Sequence, residues 1–408
     1  MKFDDIKITQ IETIVPEEIM GNLVLVRIHT NKGLIGHGES YYTPHAVAST
    51  IHDWMARRLL GQNPLNIESH WRFLFERTSS FGGKGTELRA LSAIDLALWD
   101  ILGQFCEVPI WQLLGGKSRN EIPIYNSSGG KSYGVSKGQD KQGWPGHGSN
   151  GQPGNLEDYW AVIHQPEEYA KELIKEGYTG LKTWLFDEYA RKPGGTLRIS
   201  DSDLKKSLEP IKRIRDAVGN QIEIMVDGHG FFQLPAAIRI ADALKEYQIL
   251  WAEDILRMDN LDTLKVFSEK TSIPLAVSEM CNTIEDYRRV LEMGIADYIE
   301  IDPTWAGGIS ESVKITHLAQ TYNIPVTYHD CTGPLTVYAG VQMSVANSNV
   351  VYQETVRAHI RTIYDSLIDN NLIIKNGFIE APSSPGIGTT LLPNLFAGNK
   401  HQYRSSSI

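Results

Sequence analysis

Three acidic residues at even spacing are the part of the sequence most suited to chemistry. Asp227, Glu253 and Glu279 each end a short apolar run, and the steps from 227 to 253 and from 253 to 279 are both 26 residues. One strand, one helix and their two loops occupy a similar length. Because the carboxyl ends of the strands in a parallel barrel share one face, we expect these three carboxylates to converge.

Converging carboxylates indicate a divalent cation. Like charges repel and raise each other's pKa, and a bound cation relieves that repulsion. Oxygen ligands alone favour Mg²⁺ or Mn²⁺, so we predict that Asp227, Glu253 and Glu279 hold Mg²⁺. The alternative is that these acids are unrelated N-caps of the helices that follow them. Their even spacing makes that the weaker interpretation.

Further polar residues stand at or just after predicted strand ends: Lys182, His229, Asp302, His329 and Glu354. Asp302 and His329 are 27 residues apart, which is one barrel step, so the aspartate can orient the histidine as a general base. A divalent metal and Lys182 can hold a substrate carboxylate and stabilise the charge that develops on it. The set is therefore suited to removing the proton next to a carboxylate.

The enediolate formed in this way can react further along two routes. Reprotonation from the other face gives racemisation or epimerisation. Loss of the β-hydroxyl, helped by a general acid, gives dehydration, and His229 is the candidate for that acid.

An alternation of strand-like and helix-like segments positions these residues. Candidate strands end near Asn126, Trp184, Asp227, Glu253, Glu279, Asp302, His329 and Glu354. Candidate helices start near Pro166, Asp201, Pro235, Leu261, Ile284, Ile309 and Pro334, the second with Asp201, Ser202 or Asp203 as its N-cap. Eight strands with seven helices between them predict a (β/α) barrel.

The segments outside this alternation have other patterns. Residues 1–120 show three strands followed by helices, which predicts an α+β unit. Residues 129–158 form a polar, glycine-rich insertion after the first barrel strand, for which a lid over the acids and plain disorder are both open. The end, His401 to Ile408, is expected to be a frayed tail.

Composition excludes several classes of partner. The formal charge of −10 gives no basic surface for nucleic acid or anionic membrane. No apolar run approaches the roughly 18 residues of a membrane span. Three cysteines without Cys-x-x-Cys spacing argue against a zinc site or a disulfide framework. Because the first residues show no apolar signal core, a cytoplasmic protein is expected.

The motifs together resemble the enolase superfamily, in its mandelate racemase subgroup, over nearly the full chain. The carrying features are Ala93–Asp100 with Leu113–Gly116, the three acids, the Asp302 and His329 pair, and Pro385–Gly388. The resemblance implies an α+β capping domain (residues 1–120, to which 375–408 return) over a TIM-like (β/α)₇β barrel (residues 121–374). It also implies Mg²⁺, a substrate closed between the two domains, and a homo-oligomer.

The resemblance also implies a role for each site residue. Asp227, Glu253 and Glu279 correspond to the metal ligands, His329 to the general base and Asp302 to its orienting partner. Glu354 corresponds to the acid that hydrogen-bonds the substrate carboxylate. Lys182 corresponds to the first lysine of a Lys-x-Lys motif, whose second position is here Trp184, which weakens racemisation. His229, in Asp-x-His, is similar to the acid of sugar-acid dehydratases of the galactonate and gluconate type.

Loops of the capping domain would supply specificity in such a protein. Asn22, Tyr42 and His45 are the candidates for contact with substrate, and the segment Phe81–Lys84 can also reach the site. For Tyr41, Tyr42 and Lys84, surface or packing roles are equally open.

The leading prediction is a Mg²⁺-dependent dehydratase that converts an acid sugar of the aldonate class to a 2-keto-3-deoxy acid. The alternative is an epimerase, racemase or cycloisomerase that acts through the same enediolate. A non-catalytic barrel that binds metal and ligand is the third reading, and an oriented base argues against it.

Overall fold

The structure, a computed structural model, describes residues 5–78, 80–131, 133, 153–397 and 402–408. Most of the predicted glycine-rich insertion, residues 132 and 134–152, lies outside the described residues, and the prediction of a lid lies there with it. Among the described residues, no helix combines the length and the apolar character that crossing a bilayer requires.

The N-terminal part of the chain is an antiparallel sheet covered by helices. Its strands are β1 (Ile8–Ile14), β2 (Leu23–Thr30) and β3 (Ile35–Tyr41), paired in that order. Its helices are α1 (Glu17–Met20), α2 (Pro44–Thr50), α3 (Ala56–Leu59), α4 (Ile67–Thr78), α5 (Thr86–Cys106) and α6 (Ile110–Leu113), and a π-helical turn (Ile51–Met55) joins α2 to α3.

Helix α5 packs closely on β3 because glycines on the strand remove the side chains between them. A Cβ on Gly36 would lie 2.0 Å from the carbonyl oxygen of Ala97, and one on Gly38 would lie 2.0 Å from that of Ala93. The apolar face of α5 is buried, as its four turns of helical spacing predict. This packing fixes the first turn of α5 near the carboxyl end of β3.

Eight parallel strands form a closed barrel, in which the last strand pairs with the first. The strands are β4 (Glu121–Ser127), β5 (Gly180–Thr183), β6 (Glu223–Asp227), β7 (Trp251–Glu253), β8 (Leu275–Val277), β9 (Tyr298–Ile301), β10 (Val326–Tyr328) and β11 (Val350–Thr355). The predicted fold class, an α+β unit with a (β/α)₇β barrel, is confirmed.

Helices follow the barrel strands along the chain and cover the barrel. They are α7 (Asp158–His164), α8 (Pro166–Lys175), α9 (Asp187–Ala190), α10 (Asp201–Val218), α11 (Leu234–Leu244), α12 (Leu261–Lys270), α13 (Ile284–Glu292), α14 (Gly308–Thr321), α15 (Pro334–Ala346) and α16 (Arg357–Thr362), with short 3₁₀ turns at Lys245–Tyr247, Tyr364–Ser366 and Pro393–Leu395. Inside the barrel, Tyr125, Met225 and Trp251 are fully buried in one cluster. The side chains thus fill the barrel, and the strand ends are left to carry polar groups.

Two local predictions were wrong. The chain end is not frayed: after a hairpin of β12 (Ile374–Lys375) and β13 (Phe378–Glu380) on the edge of β4, strand β14 (Tyr403–Ser407) pairs antiparallel with β1. A serine-rich strand carries no apolar alternation, so its sequence gives no strand signal. The N-cap of α10 is Ser200, whose hydroxyl accepts a hydrogen bond from the Asp203 amide at 3.1 Å, and not one of the three residues after it.

Candidate functional site

A cavity of about 240 Å³ lies at the carboxyl ends of the barrel strands. Residues of the N-terminal part of the chain line it together with barrel residues. Of the predicted site residues, those that line it are Tyr42, Lys182, Asp227, His229, Glu279, His329 and Glu354. The barrel topology thus brings together residues that are up to about 300 positions apart in sequence.

His329 and Asp302 form a buried dyad at the ends of neighbouring strands. Nδ1 of His329 lies 2.8 Å from Oδ2 of Asp302. The other oxygen of Asp302 accepts hydrogen bonds from the amide and the hydroxyl of Thr304, both at 2.7 Å. Because the aspartate is held from both sides, it fixes the imidazole ring with Nε2 available for proton transfer.

His229 forms a second histidine–carboxylate pair. Its Nδ1 lies 2.6 Å from Oδ2 of Asp187, at the start of α9, and its Nε2 lies 3.2 Å from Oδ2 of Asp227. Burial opposes the charged ring, but the carboxylates of Asp227 and Asp187 outweigh it and raise the pKa of His229 to about 9. His229 therefore carries a proton at neutral pH, as a general acid requires.

The backbone turn after Asp227 places this ring. His229 has φ +45°, in the left-handed region, and its amide donates a hydrogen bond to Oδ1 of Asp227 at 2.7 Å. The aspartate therefore shapes the turn that aims the histidine. Such a conformation is uncommon outside glycine, and here the carboxylate of Asp227 stabilises it.

Lys182 lies in the middle of a group of buried carboxylates. Its Nζ is 2.5 Å from Oε1 of Glu253, 2.8 Å from Oε1 of Glu354 and 3.6 Å from Oε1 of Glu300. Burial alone would lower the pKa of the ammonium group, but these three carboxylates raise it well above its ordinary value. Lys182 is thus a fixed positive charge that lines the cavity.

Among the described residues, one acidic group has ligand oxygens close enough together for a metal ion, and it shares Glu253 and Glu279 with the predicted set. Ligand oxygens of Glu253, Glu279 and Glu300 all lie within 4.8 Å of one another. Asp227, the third predicted ligand, lines the same cavity as Glu279 and contacts His229, and its role as a ligand stays a prediction. Glu300, inside β9, was not predicted. A signal for Glu300 exists in the sequence, since a glutamate in the apolar strand Tyr298–Ile301 must point into the barrel.

The chemistry of this group suits a divalent cation. Burial, and then the carboxylates of Asp254 and Asp227, raise the pKa of Glu279 well above its ordinary value. Within the described ranges, Oε2 of Glu279 and Oε2 of Glu300 are buried without a hydrogen-bond partner. Buried carboxylate oxygens without donors are costly, and an oxygen-preferring cation would satisfy them.

The remaining predicted contacts lie elsewhere. Asn22 and His45 do not line the cavity formed by the described residues. The backbone oxygen of Asn22 accepts a hydrogen bond from the Tyr42 amide at 2.9 Å, which holds Tyr42 in place. His45 is 64% exposed and lies 3.2 Å from Glu17, and Lys84 pairs with Asp286 at 2.5 Å.

Aromatic residues form the wall of the cavity near His229. Trp184 stacks on Tyr159 with ring centres 5.1 Å apart, and it lies 5.8 Å from the ring of His229. Tyr133 is the next ring along this wall, 5.5 Å from Trp184. Trp184, at the second position of the predicted Lys-x-Lys motif, therefore gives the cavity an aromatic wall where a second lysine would otherwise stand.

The chain was compared with known proteins. Residues 12–115 match the family described as mandelate racemase / muconate lactonizing enzyme, N-terminal domain, and residues 165–395 match the family described as enolase C-terminal domain-like. A D-xylonate dehydratase of Haloferax volcanii is 29% identical over 99% of this chain and 91% of its own length. A D-gluconate dehydratase of Thermoproteus tenax is 27% identical over 90% of this chain and 68% of its own length.

Among solved structures, an enolase of the mandelate racemase subgroup from Agrobacterium tumefaciens has a similar fold. Its TM-score is 0.84 and its sequence identity 34%, and the alignment covers 98% of this chain and 99% of that one. The similarity therefore extends over both parts of the chain.

Proposed function

The chain belongs to the mandelate racemase and muconate lactonizing enzyme family of the enolase superfamily, as its motifs predict, and from this we propose that it is a dehydratase of a sugar acid. The proposed reaction converts an aldonate to a 2-keto-3-deoxy acid and water, with Mg²⁺ as cofactor. One observation carries the proposal: two carboxylate-paired histidines, His329 and His229, line the same cavity. A dehydration needs both a base and an acid, and these two rings are suited to supply them.

The base acts on the carbon next to the carboxylate. Nε2 of His329 removes the C2 proton, and the C–H electron pair moves towards the carboxylate to give an enediolate. Asp302 holds the ring and stabilises the imidazolium that forms. The ammonium of Lys182 and the carboxyl of Glu354 bind the substrate carboxylate and its developing charge. When bound, Mg²⁺ supplies positive charge next to that carboxylate and makes the C2 proton more acidic.

The acid completes the elimination. Protonated His229 donates its proton to the C3 hydroxyl, the C3–O bond breaks, and water leaves. The enol that remains takes up a proton at C3, loses the proton of its C2 hydroxyl to water and becomes the 2-keto-3-deoxy acid. Asp187 keeps the ring of His229 oriented for this step. Two relatives named for D-xylonate and D-gluconate support a polyhydroxy acid as the substrate.

An epimerase, racemase or cycloisomerase is the second candidate. It would use the same base and enediolate but would not need an acid for a leaving hydroxyl. Trp184 occupies the position of a second basic lysine, so that base is missing, and His229, paired with Asp187, is suited to protonate a leaving hydroxyl. Both observations favour dehydration.

A screen with two variants tests the proposal. Purified protein with Mg²⁺ is incubated with a library of acid sugars in D₂O, and keto acid is measured by semicarbazide absorbance while C2 exchange is measured by NMR. We expect H329N to lose both signals. We expect H229N to lose keto acid by at least about 100-fold and to keep C2 exchange, because general acid catalysis contributes roughly that factor.

Other outcomes contradict parts of the proposal. Exchange at C2 without keto acid in the wild-type protein would point to epimerisation or cycloisomerisation. Full dehydration by H229N would show that another group is the acid. A wild-type protein with neither signal on any acid sugar would overturn the proposed function.

A further inference from the structure

Arg89 reaches the cavity from the N-terminal part of the chain. It lies in the first turn of α5, and its guanidinium carbon is 4.2 Å from the centre of the Trp305 ring and 5.5 Å from that of Tyr42. Trp305 in turn lies beside His329, with ring centres 5.1 Å apart. One tryptophan ring therefore separates Arg89 from the proposed base.

The charge of Arg89 has no carboxylate partner within 4.0 Å in the described part of the chain. Burial lowers the pKa of its guanidinium, and Asp302 and Glu279 act on it only over a longer distance. Arg89 is half-buried, and a half-buried charge without an ion pair loses part of its hydration without compensation. Its position beside a cavity suggests that a ligand completes its surroundings.

Hydrogen-bond donors remain available at this end of the cavity. A guanidinium has five N–H donors, and within the described residues Arg89 forms one hydrogen bond, from Nη1 to the Tyr41 carbonyl oxygen at 2.9 Å. The indole N–H of Trp305 is buried and has no acceptor among the same residues. These donors are suited to several oxygen atoms on a ligand.

We propose that Arg89 and Trp305 form the subsite for the hydroxyl groups at the far end of the sugar acid, and that Arg89 determines the preferred chain length. This rests on the proposed function, because that function places the reacting carboxylate at Lys182 and C2 at His329. The same function places C3 at His229, and the groups beyond C3 then reach Trp305 and Arg89, which line the same cavity.

The charges around Arg89 favour hydroxyl groups over a second acid group, and the cavity volume favours a short chain. Asp302 and Glu279 already offset part of the Arg89 charge at longer range, so an added carboxylate would gain less there. The cavity volume of about 240 Å³ is below the roughly 300–1,000 Å³ usual for drug-sized ligands, which suits an acyclic acid of a few carbons.

The test combines two substrates with two versions of residue 89. The substrates are the best aldonate from the screen and its homologue that lacks the terminal CH₂OH group but keeps the C2 and C3 configuration. For the wild-type protein, we expect the shorter acid to lose roughly 10- to 100-fold in kcat/KM, the range for a hydrogen bond to a charged group. For R89M, we expect both acids to have similar kcat/KM, with the loss on the longer acid mainly in KM.

Matched variants separate recognition from damage to the fold. R89K keeps the charge but not the planar fork, so we expect it to restore only part of the length preference. W305F keeps an aromatic ring but removes the indole N–H, and we expect a smaller loss on the longer acid. R72M, at an arginine that is exposed on α4 beside Glu76, should match the wild-type protein on both acids.

The outcomes distinguish this inference from the proposed function. An R89M protein that keeps the wild-type length preference would overturn the subsite, and a wild-type preference for the matching diacid over the aldonate would overturn the hydroxyl assignment. If the wild-type protein produces no keto acid, the proposed function fails. Titration calorimetry of an aldonate and its homologue that lacks the terminal CH₂OH group, each with Mg²⁺, then tests Arg89 alone, and equal affinities for wild-type protein and R89M would overturn the subsite.

Discussion

The carboxylates at the barrel mouth are closer together than their charges alone would allow. Glu253, Glu279 and Glu300 place oxygens within 4.8 Å of one another, and Lys182 is the cation that reaches two of them. One positive charge does not balance three buried negative charges, so protonation or a bound cation must supply the rest. The same residues therefore repel each other without a metal ion and stabilise the fold with one.

Replacing Glu279 with Gln should separate these two effects. Without metal, we expect E279Q to unfold at the same temperature as the wild-type protein or higher, because one buried like charge is removed. With saturating Mg²⁺, we expect the wild-type protein to gain stability, by about 2.7 kcal/mol at 100 times Kd, and E279Q to gain much less. Thermal unfolding with EDTA and with Mg²⁺ measures both effects.

A surface glutamate gives the control for this experiment. Glu380 is mostly exposed and pairs with Lys375, so E380Q should keep the full Mg²⁺ shift. If E279Q keeps that shift as well, Glu279 is not a ligand. If Mg²⁺ leaves the wild-type unfolding temperature unchanged, the acidic group does not hold this ion.

Among individual site residues, those at strand ends were easier to predict from the sequence than those inside strands or in loops. His329 and Asp302 follow apolar runs one barrel step apart, so the sequence alone places them together. Glu300 was missed because it lies inside an apolar run, and Asp187 because it lies on a short helix after β5, with no period that relates it to His229. Arg89 was missed because its own helix gives no sign that it faces another domain.

At the level of elements, a buried ion pair ties the barrel where its last strand meets its first. Arg357, at the start of α16, donates to both oxygens of Asp158 in α7 at 2.8 Å. The side-chain amide nitrogen of Asn126, near the end of β4, also donates to Asp158 at 2.8 Å. The side-chain oxygen of Asn126 accepts from the Arg357 backbone amide at 2.9 Å. The group joins β4, β11 and α7 at the point of closure.

Breaking this pair on one side should be strongly destabilising. We expect R357M to lower the free energy of unfolding by roughly 3–5 kcal/mol, because it leaves the Asp158 carboxylate buried without its partner. The double variant R357M/D158N should be more stable than R357M, since it removes the uncompensated charge. Urea unfolding followed by circular dichroism measures both.

A more exposed pair next to it serves as the comparison. Arg361 pairs with Glu176 at 2.7 Å, with side chains 37% and 23% exposed, and R361M should cost at most about 1 kcal/mol. Equal losses of unfolding free energy for R361M and R357M would contradict the role of burial where β11 meets β4.

The elements were predictable where their period was strong. The barrel strands and their helices follow one another in the predicted order because apolar residues with a period of 2 or 3.6 mark them. Strand β14 was not predictable, since its serines have no period and it forms by pairing with the exposed edge of β1. The N-cap of α10 lies one residue before the predicted ones, because four consecutive residues, 200 to 203, are all of types that can cap a helix.

At the scale of the whole molecule, buried acids join the N-terminal part of the chain to the barrel. Asp95 of α5 accepts hydrogen bonds from the hydroxyl and the amide of Ser310, at the start of α14, at 2.6 and 3.0 Å. Glu39 of β3 accepts from the hydroxyl and the amide of Thr336 in α15 at 2.6 and 2.7 Å. The cavity is lined from both sides of this contact, so the contact also sets its shape.

The sequence indicated two units and a shared site, but not these contacts between them. They join residues more than 200 positions apart, and no pattern within α5 distinguishes Asp95 from an exposed acid. The boundaries predicted at 120 and 374, and the predicted homo-oligomer, stay predictions.

The acids at this contact should make stability depend on pH. Burial, only partly offset by the hydrogen bonds from Ser310, raises the pKa of Asp95 to about 7. Between the ordinary value of 3.8 and 7, the folded protein therefore keeps a proton that the unfolded chain releases. The contribution of Asp95 to the free energy of unfolding is present in full at low pH and is lost as pH rises through this range. The free energy of unfolding falls by at most about 1.4 kcal/mol per pH unit.

The variant D95N isolates that contribution, because asparagine has the same shape, stays neutral and can still accept a hydrogen bond from the Ser310 amide. We expect the stability of D95N relative to the wild-type protein to increase from pH 4 to pH 7 and to stay constant above about pH 8, in urea unfolding at a series of pH values. Lys314 and Glu68 lie near Asp95 in both proteins, so their effects cancel in the difference. Parallel stability curves over this range would show that Asp95 is already ionised in the folded protein, and that hydrogen bonds from Ser310 outweigh its burial.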